Sequence, residues 1–129
     1  MFLLQETLNF EWKSVEYRFK VEFLEECKDF LDNLDEKARN KIYYNIWKAR
    51  QINDDELFKK LNDEIWEFRT LYSKKYYRLF AFWDKEGKEE TVVISTHALI
   101  KKTDKTPAAE IEKAERLRNQ YFKEKRKQK

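Results

Sequence analysis

The stretch from Glu64 to Phe82 constrains the fold of this chain more than any other. It holds two segments rich in aromatic and β-branched residues, Glu64 to Leu71 and Tyr76 to Trp83. A polar turn containing Ser73, Lys74 and Lys75 separates them. Extended segments of this kind, joined by a short polar turn, predict an antiparallel β-hairpin.

Two arginines share one face of this predicted hairpin. Side chains alternate between the faces of a strand, so Arg69 and Arg78 lie on one side together with Ile65, Glu67, Tyr76, Phe80 and Phe82. Because arginine is costly to bury without a partner, we expect the pair to face solvent, a carboxylate such as Glu67, or a phosphate. The function depends on whether the arginine pair contacts solvent, a carboxylate or a phosphate.

Composition excludes several classes of site. The 129 residues predict a single domain. Cys27 and His97 are the only cysteine and histidine, which precludes an internal disulfide and argues against a zinc site. Gly87 is the only glycine, which argues against a glycine-rich phosphate loop. We therefore expect no metal and no cofactor. Because no apolar run reaches membrane length, we expect a soluble, cytoplasmic protein without a membrane partner.

Charge is distributed unevenly along the chain. Residues 1–64 carry 11 basic and 15 acidic side chains, whereas residues 65–129 carry 17 and 10. The second half is therefore the expected anion-binding half. The alternative is that these charges are solvated and spread over helix and strand surfaces.

The residues before the hairpin predict one strand and two helices. Tyr17 to Phe23 alternates apolar and charged side chains, as a half-buried strand does. Apolar residues then fall at helical spacing from Leu24 to Leu34, with Cys27 as a small buried hydrophobe rather than a catalytic thiol. Asp35 is expected to cap a second helix, antiparallel to the first, that ends near Ile52.

A connector, a strand and a helix complete the prediction. Glu56 to Leu61 is expected to be a connector that leads into the hairpin. The β-branched stretch within Glu89 to Ala98 predicts a third antiparallel strand with His97 at its end. Thr106 and Pro107 predict the cap and first turn of a last helix. Its apolar stripe consists of Ile111, Ala114, Leu117 and Tyr121.

These elements predict an α+β fold. We expect a small, mainly antiparallel sheet with an N-terminal helix pair and a C-terminal helix, all on one side, and a polar, basic surface on the other side. Residues 1–16 are interpreted as an N-terminal extension and residues 17–122 as the domain. Residues 123–129 are interpreted as a basic, frayed C-terminal tail.

The second half of the chain carries several short motifs in a fixed order. They are Trp66-Glu67-Phe68-Arg69, Tyr77-Arg78-Leu79-Phe80, Ile94-Ser95-Thr96-His97, Lys101-Lys102-Thr103 and Lys105-Thr106-Pro107, followed by Ile111 and Ala114. Together they resemble the RelE/HigB superfamily of toxins from type II toxin-antitoxin systems, and most closely its phage-derived HigB-like branch. In element order the resemblance extends from Tyr17 to Tyr121. It implies a RelE-like fold.

The resemblance also implies a function. RelE/HigB toxins are metal-independent endoribonucleases that cut mRNA on the ribosome, and a protein antitoxin holds them inactive. Such cleavage uses the ribose 2′-hydroxyl as nucleophile, so the protein must move protons and stabilise charge on the phosphate. We expect the antitoxin to be a helix-turn-helix protein encoded beside this gene.

Family position implies roles for Arg78, Arg69, Lys101 and Lys102, and the chemistry of the neighbouring side chains adds further candidates. The candidate catalytic residues are Arg78, which would stabilise the transition state, then Arg69, His97 and Glu67. The candidate RNA-binding residues are Lys101, Lys102, Lys75, Lys74, Lys105 and Tyr77. His97 is either a general acid or base or a structural histidine. Glu67 either pairs with an arginine or acts as a base, and Tyr76 and Tyr77 either stack on a base or pack in the sheet.

Two other functions fit the same fold. ParE-like relatives poison DNA gyrase and need no nuclease residues, and a binding module would use the basic face only to dock RNA or an acidic segment. Of these functions, the four basic residues favour the nuclease. They are Arg69, Arg78, Lys101 and Lys102.

Overall fold

A computed structural model describes residues 17–87 and 91–128 of the chain. The elements are β1 (Lys20–Phe23), α1 (Glu25–Asp32), α2 (Glu36–Ala49), β2 (Phe58–Lys60), β3 (Trp66–Tyr72), β4 (Lys75–Asp84), β5 (Val92–Lys101) and α3 (Ala108–Lys127). The five strands form one sheet in the order β1-β5-β4-β3-β2. The predicted α+β fold is therefore confirmed. The expected N-terminal extension, residues 1–16, lies outside the described residues.

The β3–β4 hairpin turns through only two residues. Ser73 and Lys74 have φ angles of 51° and 64°, and positive φ at both positions is the pattern of a type I′ turn, which matches the twist of paired strands. Lys75, predicted to lie in the turn, is instead the first residue of β4. The turn fixes the strand register, and this register pairs Arg69 directly with Arg78.

The sheet is covered by helices on both faces. On one face Phe68, Tyr77, Leu79 and other apolar side chains pack against α1 and α2. On the opposite face the apolar cluster consists of Ile65, Phe80, Phe82, Ile94 and, from α3, Ala114 and Phe122. The prediction that all helices lie on one side is therefore wrong. The cause is β4, which is apolar on both faces, since burying each large apolar side chain stabilises the fold by about 1.5 to 3 kcal/mol.

Strand β2 replaces the predicted connector. Its three residues pair antiparallel with β3, and Phe58 lies opposite Phe68. The rings of these two phenylalanines stack with centroids 4.3 Å apart. Three residues are too few to show an alternating pattern, which explains why the sequence did not reveal this edge strand.

Strand β5 extends further than predicted and contains an irregularity. It continues to Lys101, so His97 lies inside the strand rather than at its end. The register with β4 shifts between Leu79 and Ala81, as in a β-bulge. The hydroxyls of Ser95 and Thr96 both donate to the carbonyl oxygen of Phe80 there, at 3.1 and 3.3 Å.

Both helices predicted before the hairpin are present, although α2 ends at Ala49 rather than near Ile52. The Asp35 side chain accepts a hydrogen bond from the Ala38 amide at 3.0 Å, so it caps α2 as expected. Cys27 is fully buried in α1 with its Sγ 3.3 Å from Ser95 Oγ. Burial raises the pKa of the Cys27 thiol to about 12. Cys27 is therefore a buried structural side chain.

The last helix includes most of the predicted basic tail. It runs to Lys127, and its last turns are anchored to the sheet through Asp84. This buried carboxylate accepts hydrogen bonds from the Tyr121 hydroxyl at 2.7 Å and from the Lys125 ammonium at 2.6 Å. Burial opposes ionisation of Asp84, but these bonds outweigh it and hold the pKa of Asp84 below its usual range. Among the described residues, no helix is long and apolar enough to cross a membrane.

Replacing Asp84 with asparagine tests this anchor. We expect the free energy of unfolding at pH 7 to fall by about 1 to 3 kcal/mol, because a buried group loses its charge-assisted hydrogen bonds. Because folding lowers the pKa of Asp84, the native protein exceeds Asp84→Asn in free energy of unfolding by the full amount above the unfolded-state pKa of about 4. This difference disappears as the pH falls from that value through the lower pKa of the folded state.

Urea unfolding at pH 7 and at acidic pH measures both effects. Asp29→Asn, at an exposed position of α1, is the matched control and should change stability by less than about 0.5 kcal/mol. An equal loss of stability in both variants would contradict the proposed anchor.

Candidate anion-binding site

The two arginines of the hairpin converge on one buried carboxylate. Arg69 and Arg78 lie opposite each other in the register, and each Nε atom is 3.6 Å from an oxygen of Glu67. Glu67 and Arg78 are each only 2 % exposed, whereas the Arg69 side chain is 18 % exposed. Of the two alternatives for Glu67, pairing with an arginine or action as a base, the structure shows the pairing. Glu67 thus neutralises part of their charge from inside the sheet.

Thr106 supports Glu67 rather than capping the last helix. Its hydroxyl donates to the two carboxylate oxygens of Glu67 at 3.0 and 3.3 Å. The residue at the cap position of α3 is Pro107, which provides no side-chain cap. The prediction of a Thr106 cap is wrong, because its hydroxyl meets a buried carboxylate from a distant strand.

Asp104 closes the other side of the arginine pair. Its Oδ1 atom accepts hydrogen bonds from the Nη2 atoms of Arg69, at 2.7 Å, and Arg78. The hydrogen bond from Arg69 holds the pKa of Asp104 below its usual range. Asp104 was not among the predicted site residues. Its signal in the sequence was weak: a single acidic residue within the lysine-rich run after β5.

Lys101 holds the loop that carries Asp104. Its Nζ atom donates to the backbone carbonyls of Asp104, at 2.9 Å, and Lys105. Burial lowers the pKa of the Lys101 ammonium, and the neighbouring charge of Arg78 adds to this effect. Lys101 therefore belongs to the site, but its ammonium contacts the loop. We define the arginine cluster as Glu67, Arg69, Arg78, Lys101, Asp104 and Thr106.

The other predicted lysines are exposed at the same end of the sheet. Because Tyr76 pairs with Lys101, the hairpin tip and the loop after β5 begin side by side. The exposed lysines at this end are Lys74, Lys75, Lys102 and Lys105. No hydrogen bond joins the side chains of these four described lysines to the arginine cluster, and their charges can attract a polyanion to this end of the sheet.

A cleft of about 350 Å³ opens onto the arginine cluster. It is lined by Glu56, Arg69, Thr70, Leu71, Tyr76, Arg78 and Asp104. Leu71 is 57 % exposed, and the Arg78 guanidinium lies 5.3 Å from the centroid of the Tyr76 ring. The cleft thus combines two arginines with two carboxylates, an aromatic ring and an aliphatic side chain.

Tyr77 does not belong to this cleft. It is 4 % exposed and lies in the apolar cluster on the opposite face of the sheet. Burial raises the pKa of its hydroxyl. The prediction that Tyr77 binds RNA is therefore wrong, because a ring in this core is inaccessible to a nucleotide. Of the two tyrosines considered, Tyr76 is the one that lines the cleft.

His97 lies outside the arginine cluster. It is 1 % exposed and stacks on Phe80 with ring centroids 4.8 Å apart. Its Nδ1 atom is 2.9 Å from Thr96 Oγ1, and its Nε2 atom is 3.1 Å from Glu110 Oε1 in α3. Burial, with the nearby Lys113 charge, lowers the pKa of His97 despite Glu110. This geometry favours a structural role for His97, and its predicted catalytic role stays a prediction.

The variant His97→Gln separates these two roles. We expect the mRNA cleavage that the family resemblance implies to change less than about threefold, and the free energy of unfolding to fall by about 1 to 3 kcal/mol because buried hydrogen bonds are lost. Activity is measured in the translation assay described below, and stability by urea unfolding. A large loss of activity in His97→Gln without any loss of stability would instead support His97 as a general acid or base.

The arginine cluster carries a net positive charge. It combines the three cations Arg69, Arg78 and Lys101 with the two carboxylates Glu67 and Asp104. Within the described residues, no group of three or more histidine, cysteine, aspartate or glutamate side chains is placed to hold a metal ion. Arginine donates two parallel hydrogen bonds to carboxylate or phosphate. An anionic ligand with tetrahedral oxygens therefore suits this site.

The fold and the cluster define the chain as a small α+β protein with a pair of arginines held between two carboxylates on one face of its sheet. Residues 29–119 match the model of a family described as phage-derived protein Gp49-like (DUF891). The chain belongs to this family of toxin-like proteins. The match runs from α1 into α3 and includes the whole arginine cluster. No curated protein is significantly similar to the chain.

Proposed function

We propose that this protein is the toxin of a type II toxin-antitoxin system and cuts mRNA on the ribosome. The observation that carries the proposal is the arginine pair: two guanidinium groups, one of them almost fully buried, share a cleft with Tyr76. Membership of a toxin-like family and the resemblance of the motifs to the RelE/HigB superfamily support it. Its site of action is then the cytoplasm.

The proposed reaction needs no metal ion. The 2′-hydroxyl gives its proton to water as its oxygen attacks the adjacent phosphorus, and the bond to the 5′-oxygen breaks as water protonates that oxygen, which leaves a 2′,3′-cyclic phosphate and a 5′-hydroxyl. Negative charge grows on the phosphoryl oxygens in the transition state. Arg78 and Arg69 stabilise this charge with permanently protonated donors held in fixed positions.

The other residues of the cluster act through the arginines. Glu67 lies behind both guanidinium groups, so it fixes their orientation rather than meeting the substrate. Lys101 and Thr106 hold the loop that closes the site. Tyr76 offers a ring on which a base can stack at the mouth of the cleft. The exposed lysines around the site attract the RNA backbone.

Mapping the 5′ ends of mRNA in a purified translation system tests this function. The protein is added to translating ribosomes and, in parallel, to the same message without ribosomes, and primer extension locates new ends. The proposal predicts cuts only in ribosome-bound message. Growth arrest in cells without any cut in this assay would overturn it, and a gyrase supercoiling assay would then test the ParE-like alternative.

An antitoxin is part of the proposal. We propose a helix-turn-helix protein encoded beside this gene, which covers the basic face or blocks access to the ribosome by its size. Co-expression of the neighbouring gene should restore growth to cells that make the toxin. A neighbouring product that neither binds the protein nor restores growth would contradict this part.

A further inference from the structure

One feature of the arginine cluster distinguishes it from an open anion site. The Nη2 atoms of Arg69 and Arg78 both donate to the same oxygen, Asp104 Oδ1. A single phosphate oxygen bridged by two guanidinium groups has the same geometry. The carboxylate of Asp104 therefore lies where a phosphate oxygen of a substrate would bind.

The exposure of these three side chains differs sharply. The Asp104 side chain is 59 % exposed, whereas those of Arg69 and Arg78 are 18 % and 3 % exposed. Glu67 lies against the Nε atoms of both guanidinium groups, so their outer edges face Asp104. The arginines are thus fixed from within, while their partner on the outside is a carboxylate in contact with solvent.

Contacts that do not involve the Asp104 carboxylate hold the loop that carries this residue. Lys101 bonds to the backbone carbonyls of Asp104 and Lys105, and Thr106 bonds to Glu67. Rotation of the Asp104 side chain would break only its contacts with the arginines. The carboxylate can therefore leave while the loop stays in place.

We propose that Asp104 is an internal ligand of the arginine pair, which a phosphate group of the substrate must replace. This inference rests on the proposed function and adds a regulation of the same site. The ligand class is a phosphate monoester or diester, since both present tetrahedral oxygens to the arginine forks. Without substrate, the site is occupied by its own chain, which weakens binding of stray anions.

Competition by an internal ligand lowers the apparent affinity in a defined way. The apparent dissociation constant equals the intrinsic constant divided by the fraction of molecules with an open site. A carboxylate that occupies the arginines nine-tenths of the time weakens anion binding about tenfold. Asp104→Asn keeps the shape of the side chain and removes its charge, so it should strengthen anion binding by about this factor.

Titration with inorganic phosphate at constant ionic strength tests the inference. Nitrogen-15 NMR follows the arginine Nε–H signals of the native protein and of the Asp104→Asn variant. The matched control is Asp63→Asn, which removes one exposed acidic charge outside the arginine cluster. We expect about tenfold tighter phosphate binding in Asp104→Asn, unchanged binding in Asp63→Asn, and no saturable binding in an Asp104→Asn variant that also carries Arg78→Lys.

The outcomes distinguish this inference from the proposed function. Equal phosphate affinity in the native protein and Asp104→Asn, or the same gain in both asparagine variants, would overturn the internal-ligand role even if mRNA cleavage is observed. A specific gain with Asp104→Asn supports that role even if the translation assay shows no cleavage. In that case the proposed nuclease fails while the self-occupied anion site stands.

Discussion

Replacement of Arg78 by alanine is expected to lower the rate of ribosome-dependent mRNA cleavage by at least about 100-fold, the cost of removing a preorganised donor to a developing anion. Arg78 is the more deeply buried of the two arginines, and Glu67, Asp104 and the Tyr77 carbonyl fix its guanidinium. Arg78→Lys keeps the charge but loses the fork of donors, so it should restore only a small part of the rate.

The measurement is primer extension on message in a purified translation system, with rates compared at equal concentrations of folded protein. Arg116→Ala, at an exposed position of α3, removes one positive charge outside the arginine cluster and should leave the rate within about twofold of the native value. Full activity in Arg78→Ala would refute the assignment of Arg78. A similar loss in Arg116→Ala would show that net charge alone governs the reaction.

Neutralising Glu67 should have the largest effect on stability. In Glu67→Gln, two largely buried guanidinium groups lose the carboxylate that lies 3.6 Å from each Nε atom. Breaking a buried ion pair by removing one partner costs about 3 to 5 kcal/mol, and the remaining partner of both arginines, Asp104, compensates their charge only from the solvent-exposed side. We expect a loss of this size in the free energy of unfolding, measured by urea unfolding with tryptophan fluorescence.

Thr106→Val is the matched control for this effect. It removes only the hydroxyl that donates to Glu67, so its cost should be about 1 kcal/mol. If Glu67→Gln proves as stable as the native protein, the carboxylate does not hold the arginines. If Thr106→Val loses as much as Glu67→Gln, the loop rather than the charge stabilises this part of the sheet.

The sequence was sufficient to predict the centre of the candidate site. Side chains alternate between the two faces along both strands of the predicted hairpin, which places Glu67, Arg69 and Arg78 on one face. The two-residue turn then sets the register that aligns them. The same alternation places Tyr77 on the opposite face. Its assignment to RNA rested on the ability of a tyrosine ring to stack on a base, and the strand pattern was the better guide.

Other parts of the site depend on contacts that no local pattern encodes. Asp104 and Thr106 lie in an irregular loop, and their partners come from strands more than 25 residues earlier in the sequence. The position of His97 depends on the bulge in β5, which shifts the alternation so that the ring faces α3. These features follow from the path of the chain in space, so local sequence patterns could not reveal them.

The pairing of β1 with β5 has a consequence for synthesis of the protein. These strands are parallel, and Val21 lies beside Val93, so the first described strand gains its neighbour in the described sheet only after β5 has been synthesised. The loop that completes the arginine cluster emerges later still. Because contacts distant in sequence form slowly, we expect the pairing of β1 with β5 to be a late step in folding. Pulse-labelled hydrogen exchange that protects β1 before β5 would contradict this order.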